Sequence, residues 1–391
     1  MWNNTSFHYK TIIVITSLII ISYSCTEANS TPIPSHINIA PDYTTNSIKL
    51  TGDTLRFPLA EGVLPETVSF NYFEDRGRKY VTFCDNLTLT LNVYDVERQV
   101  LVKQLHPGPE PDGASMEKMS AWMLSMDSIY IVNSYYLYKV NKVGNIQAKF
   151  DFTKQETKYS AQASVSNITP PVFKGNYLYL PAYPDLFPGK LSEIHKMKMM
   201  YRVNLDNGKH TLLYNLPEIY QEGLYGALFI MPFYCYNGEQ FVYSFAADPN
   251  IYVTDLETKS SSFTGQSQYL DKIIPPVKNE KDVATGEGMT KTFNQRDSYG
   301  PIFYDSYRKR YLRVAEKKVS PQQLSSRDWT KEHSLIVFDE NFKIIGESVI
   351  DRNINLYSIF TTPDGIYART DAVKDENSLY FVRLQYTEKG R

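Results

Sequence analysis

Short apolar runs that alternate with polar positions recur along residues 47–391, broken by Gly, Asn, Asp and Pro, and no stretch shows the spacing of a long amphipathic helix. The runs come in a repeating order. An apolar run, a tight turn and a second, aromatic-rich run are followed by a loop, a third run ending on a polar residue, a turn and a fourth run. The first copy has 70–73, the turn Asp75-Arg76-Gly77, 80–84, 91–95 and 100–102. Later copies place their first three runs at 122–126, 129–132 and 137–141; at 172–173, 177–180 and 200–204; and at 233–236, 241–243 and 251–255. Two more follow at 302–304, 311–314 and 335–339, and at 359–360, 366–367 and 379–383. The third runs end on Asp95, Asn141, Asn204, Asp255, Asp339 and Arg383, which are unevenly spaced. This order is that of four-stranded propeller blades. It predicts an all-β fold, a six-bladed β-propeller, with a seven-bladed ring and a double β-sandwich as alternatives. The last copy supplies three runs, and a spare strand lies at 47–58 (Ile48, Leu50, Leu55, Phe57). Pairing that N-terminal strand onto the last blade would close the ring and cover an open edge.

Loop lengths then assign a working face. In a blade, the loops joining strands one to two and three to four emerge on one side, and these are short throughout, as in Lys174-Gly175-Asn176 and Asn237-Gly238. The long segments 106–118, 153–171, 181–198, 265–297 and 315–333 all fall on the other side. Long loops on a rigid scaffold are where binding and catalysis concentrate.

The first residues read differently. Residues 1–10 are polar with Lys10, 11–21 are continuously apolar, and Ser22-Tyr23-Ser24 lead to Cys25. The apolar run is shorter than the about 20 residues that span a bilayer, so a secretory signal at 1–24 is expected rather than a membrane anchor. Cys25 after small residues resembles a bacterial lipobox, although Ser22 stands where that motif usually has Leu. The resemblance implies a lipid-modified Cys25 and a place in the cell envelope, at the outer membrane; a polar tether follows over 25–46, and with no internal linker the repeats make a single domain over 47–391. The chain carries 41 basic and 43 acidic residues, which excludes the basic footprint of a nucleic-acid binder. Cys84 and Cys235 lie in apolar runs and are expected as buried free thiols, with a disulfide between them the alternative.

Candidate chemistry is sparse. No HExxH, nucleophile elbow, Walker loop or dinucleotide fingerprint occurs. His106, His195 and His333 fall in long loops and would need to converge to hold a metal, so no metal and no cofactor are expected. The long side does carry Glu110, Asp112, Tyr183, Asp185, Phe187, His195, Arg327 and Trp329, a mixture suited to protein hot spots or sugar stacking. The loop His106-Pro107-Gly108-Pro109-Glu110, with the lipobox and the length, resembles uncharacterised NHL-like six-bladed propeller lipoproteins of Bacteroidetes. That resemblance implies a fold and an address. The expected function is envelope-anchored binding or scaffolding of a protein, peptide or glycan. The alternative is a propeller hydrolase or lyase acting on a polysaccharide or lactone, which would need carboxylates, histidines or a Tyr–Arg pair converging in one funnel.

Overall fold

The computed structural model describes residues 34–65, 68–85, 87–106, 119–153, 161–185, 190–373 and 375–388. The expected signal peptide, Cys25 and the loop 107–118 lie outside them. Residues 31–391 form one compact unit.

Strands dominate, because β-branched and aromatic residues alternate with polar ones between turn-forming residues. The first sheet is an antiparallel meander of Val68–Asp75, Arg78–Asp85, Thr90–Asp95 and Val100–Leu105. The second follows with Met119–Ser125, Ser128–Asn133, Tyr136–Val140 and Ile146–Asp151. The third has Val172–Lys174, Tyr177–Pro184, Lys198–Asn204 and His210–Asn215, with Ala161–Ala163 added beside Tyr177–Pro184. The fourth has Pro232–Tyr236, Phe241–Phe245, Asn250–Thr254 and Ser260–Thr264. An eight-stranded fifth sheet contains two four-stranded halves. One half is Ser298–Asp305, Arg310–Glu316, His333–Phe338 and Ile344–Ile350. The other is Ile354–Thr362, Gly365–Thr370, Ser378–Glu388 and, from the far end of the chain, Asn46–Pro58.

Contacts run from each sheet to the next, giving a propeller-like arrangement. Ser69 Oγ donates to Ala121 O at 2.8 Å, and the Tyr130 and Phe173 rings lie 4.8 Å apart. Tyr179 meets Phe241 at 5.5 Å, and Ser244 Oγ donates to Gly300 O at 2.7 Å. The circuit returns through Phe70 against Phe360 at 5.3 Å. The segment after Ala163 fills the middle. Val165 O accepts from Ser69, Ile168 O from the Tyr234 amide, and Asn167 Nδ2 donates to Tyr357 O and Ile359 O.

The spare N-terminal strand pairs as expected, antiparallel to Ser378–Glu388, from Asn46↔Glu388 to Pro58↔Ser378. Its register slips between Leu50 and Thr54, which lets Ile48 and Phe57, an even and an odd position, both be buried, while Leu50 is exposed. Phe57 packs edge-on against Tyr94 and Phe381 at 5.5 and 5.7 Å, a burial worth about 1.5–3 kcal/mol. A single parallel bridge, Asn46↔Gly346, joins the two halves of the fifth sheet. Within the stretch read as tether, Ser35–Ile37 forms a short strand parallel to Ser260–Thr264, and the Asp42 amide donates to Ile344 O. Cys84 and Cys235 are free and buried in the first and fourth sheets.

Candidate binding face

The long segments on one side pack into a layer over the fourth sheet and the 298–350 half of the fifth. Residues 216–231 supply the turn Ile219–Glu222 and the 3-10 turn Ala227–Phe229. Residues 265–297 supply Glu280–Val283 and a helix, Gly286–Asn294, whose N-cap Thr285 accepts from the Gly288 amide. Residues 317–332 supply Pro321–Ser326, opened by a Ser320/Gln323 capping box. Tyr220, Leu224, Tyr225, Phe229, Ile274 and Val283 join this layer to the main core. Gly226, at φ +92°, lets the Val283 side chain approach where a Cβ would stand 2.7 Å from it.

Polar groups bolt the layer down. Arg313, fully buried in its strand, donates to Ser244 Oγ, Pro249 O, Gly265 O and Asp248 O at 2.6–3.0 Å and lies 3.9 Å over the Tyr299 ring. Loss of hydration brings its pKa down to about 10. Asp248, raised by burial, accepts from Tyr252 OH at 2.5 Å and from the Asn250 amide. Glu347, also raised by burial, accepts from Ser267 Oγ, Ser334 Oγ and the Gln268 amide. Arg296 donates to Thr292 O, Pro275 O and Tyr225 O. Lys331 donates to Arg296 O at 3.0 Å and Ser298 Oγ at 2.8 Å over the Phe293 ring, and burial lowers its pKa to about 8. Asp297 accepts from the Asp271 and Lys318 amides.

These groups are held in place by main chain and hydroxyls, so the buried charges brace the layer, with Arg296 also reaching an open cleft. The Tyr–Arg pair an enzyme would need exists as Tyr299 and Arg313, but both are sealed in the core. The long-loop histidines are also apart. His195 is exposed beside the turn Leu191–Ile194, His333 Nε2 lies 3.1 Å from Asp351 O, and His106 ends the first sheet's last loop strand. Among the described residues no group of three His, Cys, Asp or Glu side chains could hold a metal ion.

Of the residues singled out from sequence, Glu110, Asp112 and Phe187 lie outside the described residues. Tyr183 pairs with Gln162 across an added strand, and burial raises its hydroxyl. Asp185 accepts from Tyr135 OH at 2.6 Å and Gln162 Nε2 at 2.9 Å, tying the second sheet to the third. Arg327 is exposed and closes the Pro321–Ser326 turn in the left-handed region, and Trp329 is 39% exposed beside it. Tyr183, Asp185 and His195 thus belong to the third sheet, and Arg327 and Trp329 to the fifth, with the fourth between them.

Open clefts occur elsewhere on the layer. One of about 510 Å³ lies between the outer strands of the third and fourth sheets, with Tyr214 and Tyr252 at its floor and Glu218, Gln221 and His36 at its rim. A second, of about 490 Å³, is lined by Lys281, Lys291, Arg296, Asp282 and Thr292. The first was not legible in the sequence, because 216–231 was not counted among the long segments and 34–37 was read as tether; the second lies wholly within the long segment 265–297, although none of its lining residues was singled out.

A family model described as a domain of unknown function, DUF4221, matches residues 46–349. The chain belongs to the DUF4221 family. A crystal structure of a DUF4221 member from Bacteroides vulgatus superposes with a TM-score of 0.77 at 22% identity, covering 89% of this chain and 100% of that one. A candidate exported protein from Bacteroides fragilis superposes at 0.55 and 12% identity, covering 90% and 100%. No curated protein matches the sequence. These likenesses establish the fold of this DUF4221 chain, and the match begins at the closing strand rather than at the apolar runs of the first sheet. On the short-loop side the strand that pairs with the closing strand, Ser378–Glu388, lines an arginine-rich cleft of about 330 Å³. Its arginines are already engaged: Arg308 with Asp305, Arg310 with Asn46 and Arg383 with Asp53.

Proposed function

We propose that this DUF4221 chain is an exported, lipid-anchored binding protein, a six-bladed propeller that works through its long-loop side. The count of six is supported by the strand sets 68–105, 119–151, 172–215, 232–264, 298–350 and 354–388, the last completed by Asn46–Pro58. Export and anchoring at Cys25 rest on the N-terminal pattern, and the fold neighbour described as exported agrees with that address.

The observation that carries a binding role over a catalytic one is where the titratable groups go. Asp248, Arg313, Lys331 and Glu347, all buried, hold the loop layer to the sheets, and the titratable groups that do reach the clefts, Glu218 and His36 in one and Lys281, Asp282, Lys291 and Arg296 in the other, stand among hydroxyls, amides and aromatic edges at open rims. A hydrolase or lyase needs an acid and a base facing substrate. A binder needs a rigid layer with exposed anchors, which Trp329 and the cleft rims supply.

Two experiments test this. Labelling cells with a clickable fatty acid should tag the full chain and leave Cys25→Ser untagged; equal labelling would reject the anchor. Partner capture from envelope extracts should weaken on Trp329→Ser with Arg327→Ser if the long-loop side binds. Capture unchanged by these and by substitutions at both clefts would reject that side.

A further inference from the structure

The cleft between the third and fourth sheets has a composition that selects among ligands. Its floor is Tyr214 and Tyr252, and its rim carries the Asn250 and Gln221 amides, the Ser260 and Ser262 hydroxyls and the Glu218 carboxylate. Among the described residues no Lys or Arg lines it, and the Glu218 carboxylate at its rim would repel a phosphate, sulfate or uronate. At about 510 Å³ it falls within the range of small-molecule sites. An amphipathic ligand with apolar faces and many hydroxyls fits aromatic edges below and amides around.

Two features mark the cleft as built. Tyr214 holds a left-handed backbone at φ +63° inside the strand His210–Asn215, a conformation costing a bulky residue about 1–3 kcal/mol. The strained residue sits at the floor, its ring stacked 4.5 Å from Tyr243. Tyr252 is fixed by its bond to the buried Asp248, so the floor is rigid before any ligand arrives. The other feature is the wall. Pro34 and His36 border the cleft, His36 Nδ1 lies 3.0 Å from Ser262 Oγ, and Ser35–Ile37 is a three-residue strand paired in parallel with Ser261, Ser262 and Phe263.

We propose that this cleft binds a neutral saccharide unit of a glycan, and that the Ser35–Ile37 strand forms its wall, so that sugar binding and docking of the N-terminal segment stabilise each other. The coupling follows from linkage: a ligand touching a segment only when it is docked favours docking by the same factor that docking favours the ligand. The proposal rests on the binding-protein reading above and names the ligand class.

The test uses the full chain and a panel of neutral oligosaccharides (gluco-, xylo-, manno- and galacto-hexaoses) with polygalacturonate as the acidic control. Binding is read by saturation-transfer NMR and calorimetry. At least one neutral hexaose should bind and polygalacturonate should not. Gln221→Ala with Asn250→Ala should weaken that binding at least tenfold with the thermal midpoint unchanged. Sugar should also slow amide exchange at 35–37, and Ser262→Ala should weaken binding severalfold. Silence across the neutral panel, binding that survives the double variant, or a peptide that displaces 35–37 while sugars do not, would each overturn the assignment. Partner capture through Trp329 alongside a silent panel would leave the binding-protein reading standing and reject this one alone.

Discussion

Replacing Arg313 by Met tests whether buried charge braces the loop layer. The guanidinium makes four short donations, to Ser244 Oγ and to the carbonyls of Pro249, Gly265 and Asp248. Bonds from a charged donor contribute about 1.5–3 kcal/mol each, or roughly 6–12 kcal/mol together. Against this stands the hydration lost on burial. The fall of the pKa from 12.5 to about 10, at about 1.4 kcal/mol per unit, puts the relief on removing the charge at roughly 3.5 kcal/mol. The difference spans about 2.5–8.5 kcal/mol, and a net loss of about 4 kcal/mol, the middle of the range for removing one partner from a buried charged network, is expected. At about 2.1 cal/mol/K per residue over roughly 350 residues, this lowers the midpoint by about 5 °C. Urea unfolding followed by circular dichroism and tryptophan fluorescence gives the number, with the exposed Arg78→Met as control. Faster amide exchange over 265–270 should accompany it. A loss below about 1 kcal/mol, no larger than for Arg78→Met, would show that the layer stays down without this residue.

Three further outcomes are expected. Lys331 has its folded pKa lowered from 10.5 to about 8 by burial; below pH 8 the folded chain carries the full cost, and between the two values it releases a proton that the unfolded chain keeps. Stability should therefore rise with pH from about 8 relative to Lys331→Met, and a flat difference in unfolding free energy between pH 7 and 9.5 would contradict the burial. A Cβ at Gly346 would stand 2.2 Å from Asn46 O, so Gly346→Ala should cost about 1–3 kcal/mol and speed amide exchange at 46–50, whereas unchanged exchange would mean the bridge does not hold the halves together. Burial pushes the Cys84 thiol up to about 12 and Cys235 higher still; both should resist maleimide at pH 8 in the native chain and react in guanidinium, and native labelling of either would refute their burial.

The repeat and the closing strand were legible because alternation is local. Ile48, Leu55 and Phe57 announce a half-buried strand wherever its partner lies. The slip between Leu50 and Thr54 was not, since its phase change depends on the partner strand. Arg313 shows a deeper limit. Between Leu312 and Val314 it reads as the outward residue of an alternating strand, yet it is fully buried, because Pro249 and Gly265 arrive from the neighbouring sheet. Tyr183 misled in the opposite sense: its loop position suggested a free ring, but Ala161–Ala163 adds a strand beside it. Ser35–Ile37 carries no apolar pattern at all, and only the open edge of Ser260–Thr264 explains its place.

The pairing of Asn46–Pro58 with Ser378–Glu388 also dictates an order of assembly. This early strand, made ahead of every blade, is among the last to find its neighbour, and the loop closed by that event holds nearly the whole domain, the slow extreme of topology. Until the last strand arrives, the first waits as an uncovered edge and the circle stands open at one seam, a state exposed to self-association. A nascent chain stalled before residue 378 therefore lacks the native partner for its own Asn46–Pro58 strand, and the ring it has built stays open at that seam.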